Sequence, residues 1–575
     1  MAELLRWETG VFIKGYGQGS LATSSVRGGA AGHVSVLWNG LPLQSPMLGL
    51  LDLSLLPTEF MDVANLQLGG QSAAYGSGAV AGTIALGNSL PAVAGTSLGI
   101  RLTGGSFGLR TGFGDARYRL GRWQLRSRLL HRRADNDFPY RLRADLPEKR
   151  QAHAQLRLTG LLQEAYYRPT PGRELAVRVW AQESFRQLPP TTVQNRSRAT
   201  QADESIRASA HWTAAGEQTS FRLRSGLFRE AIDYRDEAIG LHSPSHFYTA
   251  FLEGEKEWTV APRHLVLAGW SNQYLWATIP AYEWPARQWR AAPFAAYRYA
   301  DGRRRAGVQL RQEVVDGRLV PFIPSLELAH RLGKKLELSF KWSRNYRLPT
   351  FNDLYWRPGG NPDLRPESGW GREMVLNYTR PTAAASLTAG VTAYQRRLKD
   401  WIYWSPTDRG FYAPQNLARV RSRGLEARLA YRRTLSRGHV LINGGGDYVE
   451  SSNETAQPQI GLAAGQQLPY VPRYRAFGSV QAAWRQLTFA YRHQYTGEVT
   501  GQNVALLDAY DLASTQLSYR GDSPQASWRL LLEVDNLWNT TYRAVERRVM
   551  PGRNFRLSVE FNLRQAPADS PDLTK

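Results

Sequence analysis

The chain has 575 residues, no cysteine, and 72 basic against 49 acidic residues, a formal charge of +23. Without cysteine, disulfide frameworks and thiolate metal sites are excluded, and no run of 18 apolar residues is present to form a membrane-spanning helix. The mean hydropathy of −0.43 would suit a water-soluble protein, but the alternating strands of a membrane barrel hide their apolar half from such an average.

The first 90 residues differ from the rest of the chain. They are rich in small residues and place short apolar runs, 34–38 and 80–84, between glycine-rich turns. This pattern predicts a compact α/β domain that the segment 88–95 joins to the remainder. Gly15 and Gly17 resemble the start of a dinucleotide-binding fingerprint, but the strand–helix context and the spaced acidic residue of such a site are missing.

From residue 97 to 563 the pattern predicts roughly 22 β-strands, joined alternately by tight turns and by longer connections. Apolar and polar residues alternate with a period of two in 336–343, 487–495 and 554–563, which places each set on one face of a sheet. The connections predicted to be long are 134–150, 187–203, 231–245, 278–288, 346–369, 451–471 and 536–552.

Short turns at one end and long loops at the other are typical of a bacterial outer-membrane barrel. The alternative, a soluble sandwich or propeller, is disfavoured because so many strands exceed one sandwich and no repeat of about 40–50 residues is present. We therefore predict an all-β membrane protein, an antiparallel transmembrane β-barrel of about 22 strands. Its place would be the outer membrane of a Gram-negative bacterium.

The positive charge raises the question of nucleic-acid binding. The arginines are instead spread along nearly every strand, as at Arg117, Arg119, Arg222 and Arg224, without a dense patch or a helix-turn-helix. We expect them to steer an anionic solute in the lumen or to meet lipid phosphates, and we expect no nucleic-acid partner. Because zinc-ligand spacing, a nucleophile elbow and a positioned carboxylate pair are all missing, we expect no enzymatic activity and no required cofactor.

Several segments resemble the TonB-dependent outer-membrane receptors, and they occur in the same order along the chain. The segments that resemble the family's plug domain are 25–29 (Ser-Val-Arg-Gly-Gly), 33–43, 52–57 and 75–82 (Tyr-Gly-Ser-Gly-Ala-Val-Ala-Gly). The segments that resemble its barrel motifs are 347–356, 360–367 (Gly-Asn-Pro-Asp-Leu-Arg-Pro-Glu), 423–426, 535–538 and 551–553.

The resemblance implies a plug domain at 1–92, a transmembrane barrel at 93–563 and a polar C-terminal tail at 564–575. Its activity would be uptake of a metal chelate, a ferric siderophore or cobalamin, with energy from the inner-membrane protein TonB. The plug resembles those of the vitamin B12 and ferric-siderophore receptors, and most closely that of the vitamin B12 receptor and its relatives, which have a histidine at the position of His33. We expect a monomer surrounded by lipopolysaccharide and other outer-membrane lipid. Because Met1 already lies inside the plug, with neither a signal peptide nor a TonB box before it, the plug is expected to be truncated at its N-terminus.

By the same resemblance, ligand should meet the plug's outward loops, 15–22 and 44–50, and the long loops of the barrel. Aromatic side chains there could stack on a ring-bearing chelate while an arginine meets its carboxylates. Ordinary turn packing and an interfacial aromatic belt are the alternatives. The candidate ligand residues are Tyr16, Gln18, Gln44, Ser45, Met47, Trp276, Tyr282, Trp284, Trp289, Trp356 and Arg357.

Two further sets follow from the resemblance. Arg27 and Glu426 are candidates for an ion pair between plug and barrel, whereas Leu68-Gly69-Gly70 stands where the family often has a plug arginine that pairs with barrel glutamates. Asp135, Asp137 and Asp145 could supply oxygen ligands for a structural Ca²⁺, as a corresponding loop does in the cobalamin receptor, with a solvated polar loop as the alternative.

Two other functions stay open at this point. A passive diffusion porin would need no plug, so the domain at 1–92 argues against it. A ligand-binding outer-membrane protein without active transport would need no TonB box.

Overall fold

The computed structural model describes residues 1–9, 11–89, 95–142, 145–456, 458, 463–501 and 505–565. It consists of a small α/β plug followed by a closed barrel. The predicted boundary between residues 92 and 93, and residues 566–575 of the predicted tail, lie outside the described residues. Among the residues described, no helix is both long and apolar enough to span a membrane.

The plug is built on a four-stranded mixed sheet. Its elements are α1 (Ala2–Thr9), β1 (Phe12–Gly15), β2 (Ala22–Ser25), β3 (Val34–Trp38), β4 (Leu41–Pro42), β5 (Val63–Leu68), α2 (Ser72–Tyr75) and β6 (Gly82–Gly87), with 3₁₀ turns at Ala31–His33, Leu53–Leu55 and Thr58–Phe60. The strand order is β4–β3–β6–β5, with β3 parallel to β6, and β1 and β2 form a separate hairpin. All five side chains of β3 are buried, as expected for a strand covered on both faces.

The remaining strands follow in chain order, and most of them close into one ring. They are β7 (Thr96–Gly105), β8 (Leu109–Leu120), β9 (Trp123–Ala134), β10 (Pro139–Tyr140), β11 (Lys149–Arg150), β12 (Leu156–Tyr167), β13 (Arg173–Gln187), β14 (Ala199–Ala215), β15 (Thr219–Asp236), β16 (Leu241–Ala261), β17 (His264–Thr278), β18 (Ala286–Ala300), β19 (Arg304–Arg311), β20 (Val314–Val315), β21 (Arg318–Leu319), β22 (Ile323–Leu332), β23 (Leu336–Arg347), β24 (Glu367–Pro381), β25 (Ala385–Pro406), β26 (Tyr412–Leu435), β27 (Gly438–Asn453), β28 (Tyr474–Trp484), β29 (Leu487–Thr496), β30 (Val499–Thr500), β31 (Leu506–Leu507), β32 (Tyr510–Asp522), β33 (Ala526–Asp535) and β34 (Asn554–Gln565), with the helix α3 (Phe351–Tyr355) between β23 and β24.

Pairing of β34 with β7 closes the wall. The pairs β10–β11, β20–β21 and β30–β31 are two-residue ladders within connections, so 22 antiparallel strands form the barrel proper, as predicted. The predicted alternation is confirmed in β34, where Phe555, Leu557 and Val559 are 47–50% exposed and Ser558 is 5% exposed. The apolar face is therefore the one that meets lipid.

Ten tight turns lie at one end of the barrel, at 121–122, 168–172, 216–218, 262–263, 301–303, 333–335, 382–384, 436–437, 485–486 and 523–525. The other eleven connections lie at the opposite, extracellular end. The long loop predicted at 231–245 is wrong. There β15 and β16 stay paired as far as Asp236 and Leu241, because a ladder that extends beyond the membrane satisfies backbone groups which a loop would leave to water. Only 237–240 connect them.

The plug fills the lumen, and its core continues into the barrel wall. Trp38 and Phe60 are fully buried, with ring centroids 5.5 and 6.0 Å from that of Trp180 in β13. Gly160 in β12 makes this approach possible, because a Cβ there would lie 2.9 Å from Phe60 Cε2. Plug and wall therefore share a hydrophobic core. Burial of one such ring in it contributes about 1.5–3 kcal/mol to stability.

Candidate functional site

Two plug loops reach the extracellular end of the barrel. The first joins β1 to β2 and is closed by a hydrogen bond from Tyr16 N to Leu21 O at 3.0 Å. Within it Gly17 has φ of 127°, a conformation that favours glycine, and it lies beside Pro189 in the connection after β13. Tyr16 and Gln18 therefore lie at the outward end of the plug, and Tyr16 borders the cavity described below.

The second loop, 44–50, is held from both sides. Gln44 donates from Nε2 to a backbone carbonyl of β3 at 3.0 Å, and Phe351 N donates to Pro46 O at 3.0 Å. Met47 is buried against Phe351. Gln44 and Met47 thus hold the loop to β3 and to α3. Gln44 also borders one neighbouring cavity, and Ser45 borders two.

A cavity of about 430 Å³, here called the vestibule cavity, separates these loops from the wall formed by β13–β16. Its plug side is mainly aliphatic and its wall side carries most of the polar groups. The residues that define it are Tyr16, Leu48, Leu50, Leu51 and Leu55 from the plug, Arg186, Arg207, Glu230, Ile232 and Phe247 from the wall, and Arg548 from the connection after β33.

The arginines of the vestibule cavity have partners. Arg186 pairs with Asp52 of the plug at 2.6 Å, Arg207 pairs with Glu230, and Arg548 donates from Nη1 to a backbone carbonyl at 2.7 Å. Burial raises the pKa of Tyr16, so its hydroxyl stays protonated near neutral pH. The cavity offers apolar surface with oriented, largely neutralised polar groups, an arrangement that suits a bulky ligand with apolar parts.

The barrel aromatics predicted to bind ligand occupy three different environments. Trp276 and Trp289 lie on the outward face of β17 and β18, where Trp276 pairs in register with Arg287. They lie on the lipid-facing side and do not border the vestibule cavity, so their ligand role stays a prediction. Trp284 is 73% exposed in the connection 279–285.

Tyr282, Trp356 and Arg357 surround α3. Tyr282 is buried, donates from its hydroxyl to Asn352 Oδ1 at 2.5 Å, and packs in the same cluster as Met47, with Trp356 at the edge. Arg357 is exposed and pairs with Glu283. These residues hold the outer loops onto the plug loop 44–50, and Arg357 is the member of the group that faces solvent.

The three aspartates predicted to bind Ca²⁺ lie in the connection after β9. Asp135 lies 3.6 Å from Arg133, and Asp137 lies 3.6 Å from Arg150. In the described ranges, no group of three or more His, Cys, Asp or Glu side chains is arranged to hold a metal ion. A calcium site that includes Asp145 stays a prediction.

Arg27 of the plug lies at the centre of a buried ion-pair cluster, here called the arginine latch. Its Nε and Nη2 each donate to one oxygen of Glu426 at 2.8 Å, and its Nη1 donates to Glu373 at 2.6 Å. The guanidinium also stacks 4.5 Å from the ring of Tyr394. The segment Leu68-Gly69-Gly70 supplies no arginine to Glu373, and a Cβ on Gly69 would collide with Glu373 Oε1. Glu373 pairs with Arg27 instead.

A second buried link, from His33 to the outer loops, was not predicted. His33 Nδ1 accepts from Ala30 N at 3.1 Å, so the proton lies on Nε2, which donates to Glu367 Oε2 at 2.5 Å. The other oxygen of Glu367 accepts from Arg347 at 2.6 Å, and Arg347 lies 3.7 Å from Asp353 in α3. This chain of hydrogen bonds, with an ion pair at its outer end, joins the plug sheet to α3, which in turn holds loop 44–50. Burial lowers the pKa of His33.

The acidic side chains of the plug are matched by basic side chains of the wall. The described plug contains five carboxylates, and each pairs with an arginine of the wall. The pairs are Glu3–Arg556, Glu8–Arg492, Asp52–Arg186, Glu59–Arg132, and Asp62 with both Arg126 and Arg128. The excess of basic residues noted in the sequence is thus partly a complementary lining for an acidic plug.

A second cavity of about 300 Å³, here called the seam, runs between the plug and strands β15–β19. It extends from loop 44–50 at the outer end to Arg222, three residues after the start of β15 at the inner end. The plug side is lined by small residues, among them Gly40, Ala74 and Gly76. The wall side carries Arg222, Arg224, Arg290, Arg298 and Arg311, with Arg347 near the outer end, against Glu253, Glu255 and Glu313.

Comparison with known proteins gives consistent matches. The TonB-dependent receptor plug domain matches residues 1–83, and the TonB-dependent receptor-like β-barrel matches residues 72–537. The vitamin B12 transporter BtuB of Photobacterium profundum is 26% identical over 229 residues, 39% of this chain and 36% of that protein. The matched region therefore spans about a third of that relative's length.

Solved structures share the fold at low sequence identity. The FrpB iron transporter from Neisseria meningitidis (F3-3 variant) superposes with a TM-score of 0.80 at 13% identity, covering 98% of this chain and 96% of that one. The copper transporter OprC gives a TM-score of 0.76 at 15% identity, covering 98% and 95%. These structures show the fold, and the family match over most of the chain establishes that it belongs to the TonB-dependent receptors, β-barrel proteins of the outer membrane of Gram-negative bacteria.

Proposed function

We propose that the protein imports a metal chelate of the ferric-siderophore or cobalamin class across the outer membrane, energised by TonB acting on the plug. The observation that carries this proposal is a plug that seals the lumen while leaving a cavity of about 430 Å³ open to its outward loops. A receptor of this design binds from outside and must move its plug before the ligand can pass.

The link from the ligand site to the plug supports this mechanism. Ligand in the vestibule cavity would touch Tyr16 and Ser45, and loop 44–50 is fixed to α3. From α3 the chain Asp353–Arg347–Glu367–His33 leads to the plug sheet. A ligand that favours one arrangement of this chain would bias the plug between two states.

Wall electrostatics favour an anionic chelate over a neutral one. The seam is lined by six arginines and three glutamates, so a negatively charged solute would pass it more easily than a cation. The relative from Photobacterium profundum is a vitamin B12 transporter. The aliphatic plug side of the vestibule cavity would suit cobalamin as well as an anionic chelate. Substrate class is therefore the point at which the proposal needs measurement.

Equilibrium binding tests the proposal directly. We would titrate purified protein with cobalamin, a ferric hydroxamate, a ferric catecholate and haem, following the fluorescence of its 18 tryptophans. One class is expected to bind with Kd below about 1 μM, and Leu48→Asn in the vestibule cavity should weaken it at least tenfold. Leu319→Asn, in the exposed hairpin β20–β21, is the matched control.

The passive porin predicts a different result. If no chelate binds while the protein conducts ions steadily in a planar bilayer, diffusion replaces uptake. If a chelate binds but cells carrying the native gene do not accumulate it, the protein binds ligand without transport. The proposed monomeric state is checked by light scattering of the purified protein.

A further inference from the structure

A row of three arginines crosses the outward face of the barrel at its extracellular end. Arg133 of β9 stands directly opposite Arg110 of β8 and directly opposite Arg157 of β12. All three side chains are exposed. Each is the second residue from the outward end of its strand, which places the row where the outer leaflet meets water.

Like charges directly opposite one another destabilise an antiparallel sheet. In the part of the chain that the structure describes, Asp135 is the one carboxylate within 4.0 Å of these guanidiniums, at 3.6 Å from Arg133. Arg157 also lies over the ring of Phe185, 5.3 Å from its centroid, which orients the guanidinium without neutralising it. The row thus keeps an excess of positive charge that an anion from outside the chain would stabilise.

An apolar groove begins beside this row. It has a volume of about 580 Å³, lies on the lipid-facing side, and is bordered by Leu102, Leu557 and Val559, with Arg110 and His131 at its end. Gly104 and Gly112 form its floor. A Cβ on Gly104 would meet no atom within 4 Å, so protein packing does not require glycine at this position.

We propose that the arginine row and the groove together bind lipid A, the phosphorylated and multiply acylated glycolipid part of lipopolysaccharide. Its phosphates would bind Arg110, Arg133 and Arg157, and one acyl chain would lie in the groove over Gly104. The arginine row supplies charge and the groove supplies apolar surface, and lipid A carries both phosphates and acyl chains in the outer leaflet. The site depends on the membrane location of the barrel and not on the chelate that it transports.

Native mass spectrometry of the detergent-purified protein tests this site. The probes are bisphosphorylated lipid A and the same lipid after enzymatic removal of its phosphates. In the triple variant R110Q/R133Q/R157Q, Kd for bisphosphorylated lipid A should rise at least tenfold, while Kd for the dephosphorylated lipid should stay within twofold. The control R122Q/R303Q/R437Q removes the same charge from exposed arginines at the opposite end of the barrel and should bind both probes as the parent does.

A second variant tests the groove independently. Gly104→Leu fills open space on the lipid side, keeps all three arginines, and should weaken binding of both probes about equally. Unchanged binding by the triple variant would overturn the proposal, as would equal losses in the triple variant and its control. Folding of every variant is checked by the faster gel migration of the unheated barrel.

Discussion

Replacement of Arg27 by methionine is predicted to release the plug from the barrel wall. Methionine keeps an unbranched apolar stem but removes the guanidinium that joins Glu426 and Glu373 in the arginine latch. The two glutamates would then face each other without their counter-ion. Their side chains are 6% and 12% exposed, so water can reach them only partly.

The size of the effect follows from this burial. Removing one partner of a buried ion pair costs about 3–5 kcal/mol, because the remaining charge is left uncompensated. Since each 1.4 kcal/mol is a factor of about ten, the undocked population should rise roughly 100- to 4,000-fold.

The absence of native cysteine allows a clean assay. Ser35 in β3 is 1% exposed, so Ser35→Cys introduces a single thiol that a maleimide reaches only when the plug opens. When opening and closing are fast, the labelling rate follows the open population. Arg520→Met is the matched control, because Arg520 and Asp522 form an exposed pair worth less than about 1 kcal/mol.

A further variant separates a stranded charge from a lost contact. With Glu373 and Glu426 changed to glutamine as well, the R27M protein should regain much of its protection, because neutral amides need no counter-ion. The reasoning is refuted if R27M labels within twofold of its parent, or if the triple variant labels as fast as R27M.

Three other changes bear on the plug. In the docked plug, burial lowers the pKa of His33. Below about pH 6.5, its ordinary pKa, His33 is therefore protonated in the undocked form before it is protonated in the docked form. Docking should weaken from pH 7 to pH 5, and His33→Gln should remove that dependence in the labelling assay. Gly28→Ala would place a Cβ against the Ser451 side chain at φ of 70° and should lower the unfolding temperature in calorimetry, with a cost of about 1–3 kcal/mol, whereas Gly302→Ala, which meets no atom, should not. Phe60→Ala should cost about 3–5 kcal/mol and speed labelling of the thiol introduced by Ser35→Cys, and unchanged rates would contradict the shared core.

The barrel could be predicted from the sequence because its rule is local. Strand period and turn spacing act over about ten residues, and in β34 they separated the two faces correctly, since the apolar set is the exposed one. The face of β17 was also readable, since Trp270, Tyr274 and Trp276 share one side and Ser271 and Gln273 the other. That signal would have placed Trp276 outward. The short connection 237–240 was not predicted, because polar residues above the membrane have the same sequence pattern in a paired strand as in a loop.

The contacts that hold the plug were harder to predict. Arg27 and Glu426 are 399 residues apart, and only the resemblance of two motifs brought them together. His33 and Glu367 were both visible in such motifs, but periodicity gives the face of a strand and not the neighbour across the lumen. Partners of this kind can be assigned only with the register of every strand between them.

Uptake by whole cells tests the central proposal most directly. The native gene, including whatever sequence precedes Met1, would be expressed in cells with and without TonB and supplied with radiolabelled ferric chelates and cobalamin. Energised import predicts that one chelate accumulates above its external concentration only when TonB is present, and that unlabelled ligand of the same class competes. Equal accumulation in both strains, or none for any chelate that the purified protein binds, would contradict it.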